Sequence, residues 1–202
     1  ATGNQTRGVW GGGNTGSLSD VIDYVTIATT ANAIDFGNLT DARCHAGSAS
    51  SPTRALFAGG LDPSNSDIID YITIATTGNA TDFGNLTTAK CQIDGVSNNT
   101  RAVFFAGQIS PAGVNTIEYV TIASTGNATD FGDLTQKVSN TQPMSNSIRG
   151  LRAGGYDFDA SAVTNTIGFI TIATTGNELD FGDLYIIQAE GTGCSDSHGG
   201  LS

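Results

Sequence analysis

Positive charge is scarce in this chain. Eight Lys plus Arg stand against 19 Asp plus Glu, a formal net charge of −11 over 202 residues. A surface of that sign repels phosphate backbones and acidic headgroups, so nucleic acid is not an expected partner. Long apolar runs are missing too. None approaches the roughly 20 residues of a membrane helix, so no membrane insertion is expected. No basic-then-apolar signal segment opens the chain, and its start at Ala1 fits removal of an initiator Met or of a pro-segment. Cysteine is sparse: Cys44, Cys91 and Cys194, an odd count without CxxC spacing. That argues against a disulfide framework and against a zinc site. Cys44 and Cys91 each lie five residues after the Leu of a DFGNL word and read as small core residues. A chain that folds without staples suits a reducing cytosol. Finally, no sustained 3.6-residue apolar stripe occurs, which leaves little room for helices.

What the chain has is repetition, which decides the fold before anything else. IDYVTIATTANAIDFGNLT from Ile22 returns as IDYITIATTGNATDFGNLT from Ile69, IEYVTIASTGNATDFGDLT from Ile117 and IGFITIATTGNELDFGDLY from Ile167. The aromatic of the YxTIA word sits at Tyr24, Tyr71, Tyr119 and Phe169, at steps of 47, 48 and 50 residues. A second word, TRxxFAGG, is headed by Arg7, Arg54, Arg101 and Arg149. The distance from each Leu of DFGNL or DFGDL to the next Arg stays at 15 residues, whereas Arg to the next aromatic grows through 17, 17, 18 and 20. The added length falls in Gly-, Ser-, Asn-, Asp- and Pro-rich loops such as GGLDPSNSD and GGYDFDASAVTN, which tolerate insertion. The repeats span residues 6–42, 43–89, 90–137 and 138–188, in a single domain of 1–202.

Each repeat reads as β structure. ALFA, VFFA and DYVTIA are β-branched, aromatic and too short for a helix. In YxTIA, Tyr71 and Ala75 lie on one alternating face and Ile72 and Ile74 on the other, so the strand is covered on both sides. The third unit illustrates four strands: a weak one at Cys91 to Val96, then Ala102 to Ala106, Thr116 to Ala123, and Thr129 to Leu134. Four strands in about 50 residues is the size of a propeller blade.

The pattern resembles the kelch propeller family. A strand ends in Gly-Gly (Ala58-Gly59-Gly60), a variable loop follows (Leu61 to Asp67), then a strand with a central aromatic (Tyr71), an aromatic-and-Leu word (Phe83, Leu86) and a basic residue (Lys90). The fourth-strand Trp of that family is replaced here by Phe36, Phe83, Phe131 and Phe181. The resemblance implies an all-β fold: a small kelch-like β-propeller of four four-stranded blades. The first blade lacks its first strand, and residues 189–198 stand in register with it. Cys194 there matches Ala49, Val96 and Met144, so the expected ring is closed by the C-terminal strand completing the first blade. The wording TIATTGNATDFGNLT with TRxxFAGG also resembles repeats in structural proteins of tailed bacteriophages.

Catalytic readings are weak by comparison. Asp82-Phe83-Gly84 resembles a kinase tripeptide, but it recurs four times and no Gly-rich nucleotide loop, paired Lys or HRD word accompanies it. Phe83 is expected in the core, and Asp82 on a backbone turn or paired with an Arg such as Arg101. Seven of the eight basic residues occupy repeat positions; only Arg152 is extra. His45 and His198 are not equivalent, and the run Ser195 to His198 is sequence adjacency, not a triad. The repeated Asp residues lack the asymmetry that separates an acid from a base. Asp62 with Asp67, and Asp157 with Asp159, could approach Ca²⁺, but neither loop has the spacing with a closing Glu. Solvated acidic loops are expected, with no metal and no cofactor. The Asn-x-Thr sequons recur because the repeat recurs. Trp10 is expected in the core.

Three functions remain. The first is a non-enzymatic virion component (decoration, fibre or tail-tip protein) at the virion surface or otherwise extracellular. Its partners would be other virion or coat proteins or a host-surface glycan, with a homo-oligomer also open. The second is a lectin-like propeller of a cell-surface or secreted protein. The third and last is a glycan-processing enzyme domain. The expected contact surface is the variable-loop face: Asp62, Asn65, Asp67, Tyr156, Asp157, Phe158 and Asp159.

Overall fold

The computed structural model describes residues 1–193. Every element in it is a strand or a turn; no helix occurs among the described residues. The first sheet is β1 (Thr2–Gly3), β2 (Arg7–Asn14), β3 (Leu18–Thr26) and β4 (Ile34–Asn38). The second unit runs β5 (Gly47–Ser50), β6 (Arg54–Ala58), a loop ribbon of β7 (Leu61–Asp62) and β8 (Ser64–Asn65), then β9 (Ile68–Thr73) and β10 (Thr81–Asn85). The third runs β11 (Asp94–Ser97), β12 (Arg101–Phe105), a ribbon of β13 (Gln108–Ile109) and β14 (Ala112–Gly113), then β15 (Thr116–Thr121) and β16 (Thr129–Asp133). The fourth runs β17 (Val138–Ser139), β18 (Gln142–Ser145), β19 (Arg149–Ala153), β20 (Tyr156–Asp157), β21 (Ala162–Val163), β22 (Thr166–Thr171) and β23 (Leu179–Asp183). Four-stranded antiparallel sheets form in the orders β1-β2-β3-β4, β5-β6-β9-β10, β11-β12-β15-β16 and β18-β19-β22-β23. The β20 and β21 strands of the fourth unit's loop make a separate small sheet with β17 of the connection that precedes β18.

Alternation explains how the sheets stack. Val9, Ile22, Phe36 and Leu39 of the first unit share one buried cluster with Ala55, Phe57, Ile72 and Ile74 of the second. Leu56, Ile69, Phe83 and Leu86, on the other face of the second sheet, cluster with Ala102, Phe104, Val120 and Ile122. The third and fourth sheets meet through Val103, Phe105, Phe131, Ile170 and Ile172. The two middle sheets are therefore apolar on both faces because each lies between two others.

The recurring Asp-Phe-Gly sits at a bulge. The Asp82 side chain accepts the Gly84 N–H at 3.0 Å, the β9–β10 register shifts there, and Gly84 takes φ +143°. A Cβ on Gly84 would strike the backbone carbonyl of Gly126 in the next sheet, so only glycine allows this approach. Of the two expectations for Asp82, the backbone turn holds. Phe83 is buried, and its ring meets Tyr71 edge-on at 5.7 Å. The repeated Arg residues stack over the same Tyr rings. Arg54 stacks over Tyr71 at 4.6 Å and donates to the Ile122 carbonyl of the next sheet at 2.8 Å. Arg7 and Arg101 do the same one unit earlier and later.

Each joint also buries one ion pair. Arg43 meets Asp70 at 2.8 Å between the first and second sheets, and Lys90 meets Glu118 at 2.6 Å between the second and third. Both cations follow the outermost strand of one sheet; both carboxylates belong to the third-position strand of the next. At the third joint the pair is kept but rewired. Val138 stands in the cation position and Gly168 in the carboxylate position, while Arg152 and Glu178 form the contact at 2.7 Å. Arg152 replaces the Phe57 and Phe104 position, and Glu178 replaces Ala80 and Ala128. A Cβ on Gly168 would occupy the space of the Glu178 carboxylate, which is why the two changes go together.

Two expectations need correction. The first sheet does not lack its first strand: Thr2 pairs with Val9 and Gly3 with Gly8, so β1 occupies that edge of β2. A strand edge offers one row of hydrogen-bonding groups, and these are already taken by the N-terminal residues. Of the segment 189–198 assigned to that place, the described part runs instead beside the fourth sheet. The Glu190 N–H donates to the Asn140 carbonyl at 3.0 Å, and Gly191 lies against Gln142. Residues 194–198, with Cys194 and the Ser195 to His198 run, lie outside the described residues. Trp10 is not core but 48% exposed. Its counterparts Phe57 and Phe104 are buried against a preceding sheet, and among the described residues no sheet precedes the first.

Candidate binding surface

The variable loops of the second, third and fourth units adjoin one another, and the sequence's contact residues are all on the second and fourth. Their positions are held by the scaffold. Cys44 bridges to Leu61 and Cys91 to Gln108, so each loop ribbon is tied to the connection that precedes its sheet. Both thiols are buried, and burial pushes the Cys91 thiol up from its ordinary value, which makes it a poor nucleophile.

Asn65 reaches across to its neighbour, its side-chain amide donating to the Gln108 carbonyl at 3.1 Å. Asp62 on β7 and Asp67 between β8 and β9 remain part-exposed. In the fourth unit's loop, Tyr156 is 36% exposed and meets Phe158 edge-on at 5.1 Å. Phe158 is half-buried over Gly113, where a Cβ would collide with its ring. Asp157 is buried and committed to the turn. It accepts Gln136 Nε2 at 2.8 Å and the Asp159 and Ala160 N–H groups at 2.9 and 3.2 Å. Asp159 is exposed and pairs with Lys137 at 3.1 Å. The structure thus joins Asn65 to the third unit's loop and Tyr156 to Phe158. It leaves the Asp62 and Asp67 carboxylates on a different loop from Asp159. Among the described residues, no three His, Cys, Asp or Glu side chains converge as a metal cluster would require.

A second concave feature lies where the first strands of the four sheets approach one another. A cavity of about 520 Å³ is lined by residues of β1, β5, β11 and β18, and by Gly191 to Gly193. Serines stitch its wall. Ser50 Oγ donates to the Gly3 carbonyl at 2.7 Å, Ser97 Oγ to the Ser50 carbonyl at 2.8 Å, and Ser145 Oγ to the Ser97 carbonyl at 3.2 Å. Among the described residues, Asp94 is the one carboxylate that lines it. It accepts the Thr141 N–H at 3.1 Å and the Thr141 hydroxyl. Burial pushes its carboxyl up to about 7, against these two bonds, which favour the charged form.

Sequence reasoning missed Asp94 and Glu178, and it singled out Arg152 without a partner. Arg152 stood out as the one basic residue outside the repeat, and Glu178 could have been flagged as the one acid in the GNAT word. Asp94 carries no signal, since its counterparts in the neighbouring first strands are Gly47 and Gln142. No protein-family model matches this chain, and no curated protein matches its sequence.

Proposed function

We propose that this protein is a non-enzymatic contact module, its four sheets set about the serine-lined cavity in the manner of a kelch-like β-propeller. In this reading it is a component of a bacteriophage virion, docking a neighbouring coat protein or a host surface through its loop face. The observation that carries the reading is the lateral bonding of that face. The side chain of Asn65 reaches the Gln108 carbonyl, and Phe158 covers Gly113, so residues from three successive loops are held in one rigid array. Preordered surfaces lose little entropy on docking, and rigid side chains on tied ribbons suit a permanent assembly part. The cations and carboxylates of the sheet joints are spent on one another, leaving the loop edge as the variable surface.

Antibodies raised against the chain should label assembled particles, and the chain should sediment with them through a density gradient. Recovery only in the soluble fraction, with unlabelled particles, overturns the virion assignment. The exposed Tyr156 ring beside Phe158 and Asp159 favours a second reading, stacking against a sugar face. A glycan array on which Tyr156→Ala abolishes a defined signal would replace protein docking with this alternative.

A further inference from the structure

The two end faces of the stack are the unused halves of a joint that the chain makes three times. The Phe of the DFG word is 2 to 3% exposed at Phe36, Phe83 and Phe131, but 52% exposed at Phe181 on the last sheet. The Ile of the TIA word is at most 2% exposed at Ile74, Ile122 and Ile172, but 59% exposed at Ile27 on the first. Gly37, Gly84 and Gly132 each abut the turn of the next sheet, while Gly182 has nothing beside it among the described residues.

Among the described residues, the polar groups are unpaired in the same matching way. At each internal joint, two backbone N–H groups of a turn donate to the outermost strand of the preceding sheet: Gly78 to Phe36 and Ala80 to Asn38, Gly126 to Phe83 and Ala128 to Asn85, Gly176 to Phe131 and Glu178 to Asp133. The turn Asn then accepts back, Asn79 from Asn38 and Asn127 from Asn85 at 3.1 Å, Asn177 from Asp133 at 3.0 Å. On the first sheet the corresponding groups are the N–H of Ala31 and Ala33 and the side chain of Asn32. On the last they are the backbones of Phe181 and Asp183. Arg149 stacks on Phe169 like its three predecessors, and the acceptor the others use, a carbonyl of the next TIA word, would be that of Ile27.

The ion-pair position is also half-built at each end. Asp23 aligns with Asp70 and Glu118 and is only part-buried. Gln188 aligns with Arg43 and Lys90: its carbonyl accepts the Gly155 N–H as theirs accept Gly13 and Gly60. It would offer Asp23 a neutral amide, and Tyr185 would offer the backbone N–H that Thr40 and Thr87 give to Asp70 and Glu118.

We propose that the first-sheet face docks on the fourth-sheet face of a second copy of this chain, making a head-to-tail version of the internal joint. The occupant is argued from continuity: apolar residues, backbone donors and acceptors, and the carboxylate site each find their counterpart on the opposite end. Such a contact is heterologous, so it closes into a ring or grows as a filament according to the rotation per copy. Each chain carries −11, so association should strengthen with added salt. None of this depends on what the loop face binds.

Light scattering after size exclusion should find the 202-residue chain as a dimer or larger at micromolar concentration. Ile27→Asp blocks the head and Phe181→Asp blocks the tail; both positions are exposed in the single chain, so folding should survive. Each variant alone should run as a monomer. An equimolar mixture should recover a dimer with one joint, which also proves that both variants are folded. A monomeric wild-type chain overturns the proposal. So do variants that self-associate unchanged, or a mixture of folded variants that stays monomeric.

Discussion

The rewired third joint makes a sharp prediction, because its four exchanged residues can be exchanged back. Glu178 accepts the Thr135 N–H at 2.9 Å and hydroxyl at 2.7 Å, and Arg152 Nη2 at 2.9 Å, with Arg152 Nε at 2.7 Å from its other oxygen. Both side chains of the pair are 1% exposed. Glu178→Ala would strand a buried guanidinium and two donors, a loss of about 3–5 kcal/mol. Gly168→Glu alone should be at least as damaging, since its new side chain enters the space of the Glu178 carboxylate. Combining Val138→Lys, Arg152→Phe, Gly168→Glu and Glu178→Ala reinstates the Lys90, Phe104, Glu118 and Ala128 arrangement of the second joint. The obstruction at Gly168 then disappears with Glu178, and the Thr135 N–H regains a carboxylate, as Thr87 has in Glu118. The quadruple variant should therefore lie within ~2 kcal/mol of wild type. Urea denaturation measures both values. If the quadruple variant is less stable than Glu178→Ala, the two joints are not alternative wirings of one site.

Other perturbations follow from the same geometry. Gly84→Ala should cost ~2 kcal/mol more than Gly182→Ala. Both glycines have φ near +140°, but only the first would meet a neighbouring carbonyl; equal melting shifts for the two dilute variants would refute the steric account. Asp94 is raised to about 7 from its ordinary 3.8, so the folded state holds its proton more tightly than the unfolded chain. Its stabilisation is full below pH 4 and is lost as pH rises through about 7. Melting temperatures of Asp94→Asn should accordingly gain on wild type as pH goes from 4 to 8, and a constant difference across that range refutes the shift. Arg54→Ala removes the cation over Tyr71 and the bond to the Ile122 carbonyl, which should lower stability by ~2 kcal/mol. A change below a few tenths in chemical denaturation would show that the Arg column is decorative.

Much of this architecture can be read from residues alone. Fourfold recurrence of YxTIA and TRxxFAGG implies four equal units, and double-sided apolar strands imply that sheets cover sheets. The third unit's four strands were anticipated within a few residues, except that β11 starts at Asp94 and Cys91 makes only a bridge to Gln108. The two-residue loop ribbons were invisible, because strands that short carry no periodicity. The loop face was named as a surface, yet Asp157 was placed among its contact residues although its carboxylate is used up within the turn. An Asp in a Gly-rich loop looks the same whether it faces solvent or its own backbone.

Local pattern by itself determined the long strands and the number of four-stranded sheets, because φ, ψ preference and alternation act within a few residues. Only the tertiary structure decided which faces are covered. Trp10, Ile27 and Phe181 belong to the same sequence words as buried residues and differ in having no neighbouring sheet among the described residues. It likewise decided that Arg152 would find Glu178 while Lys137 stayed at the surface with Asp159. Burial and charge pairing depend on residues tens of positions away, and no repeat of one word contains that information.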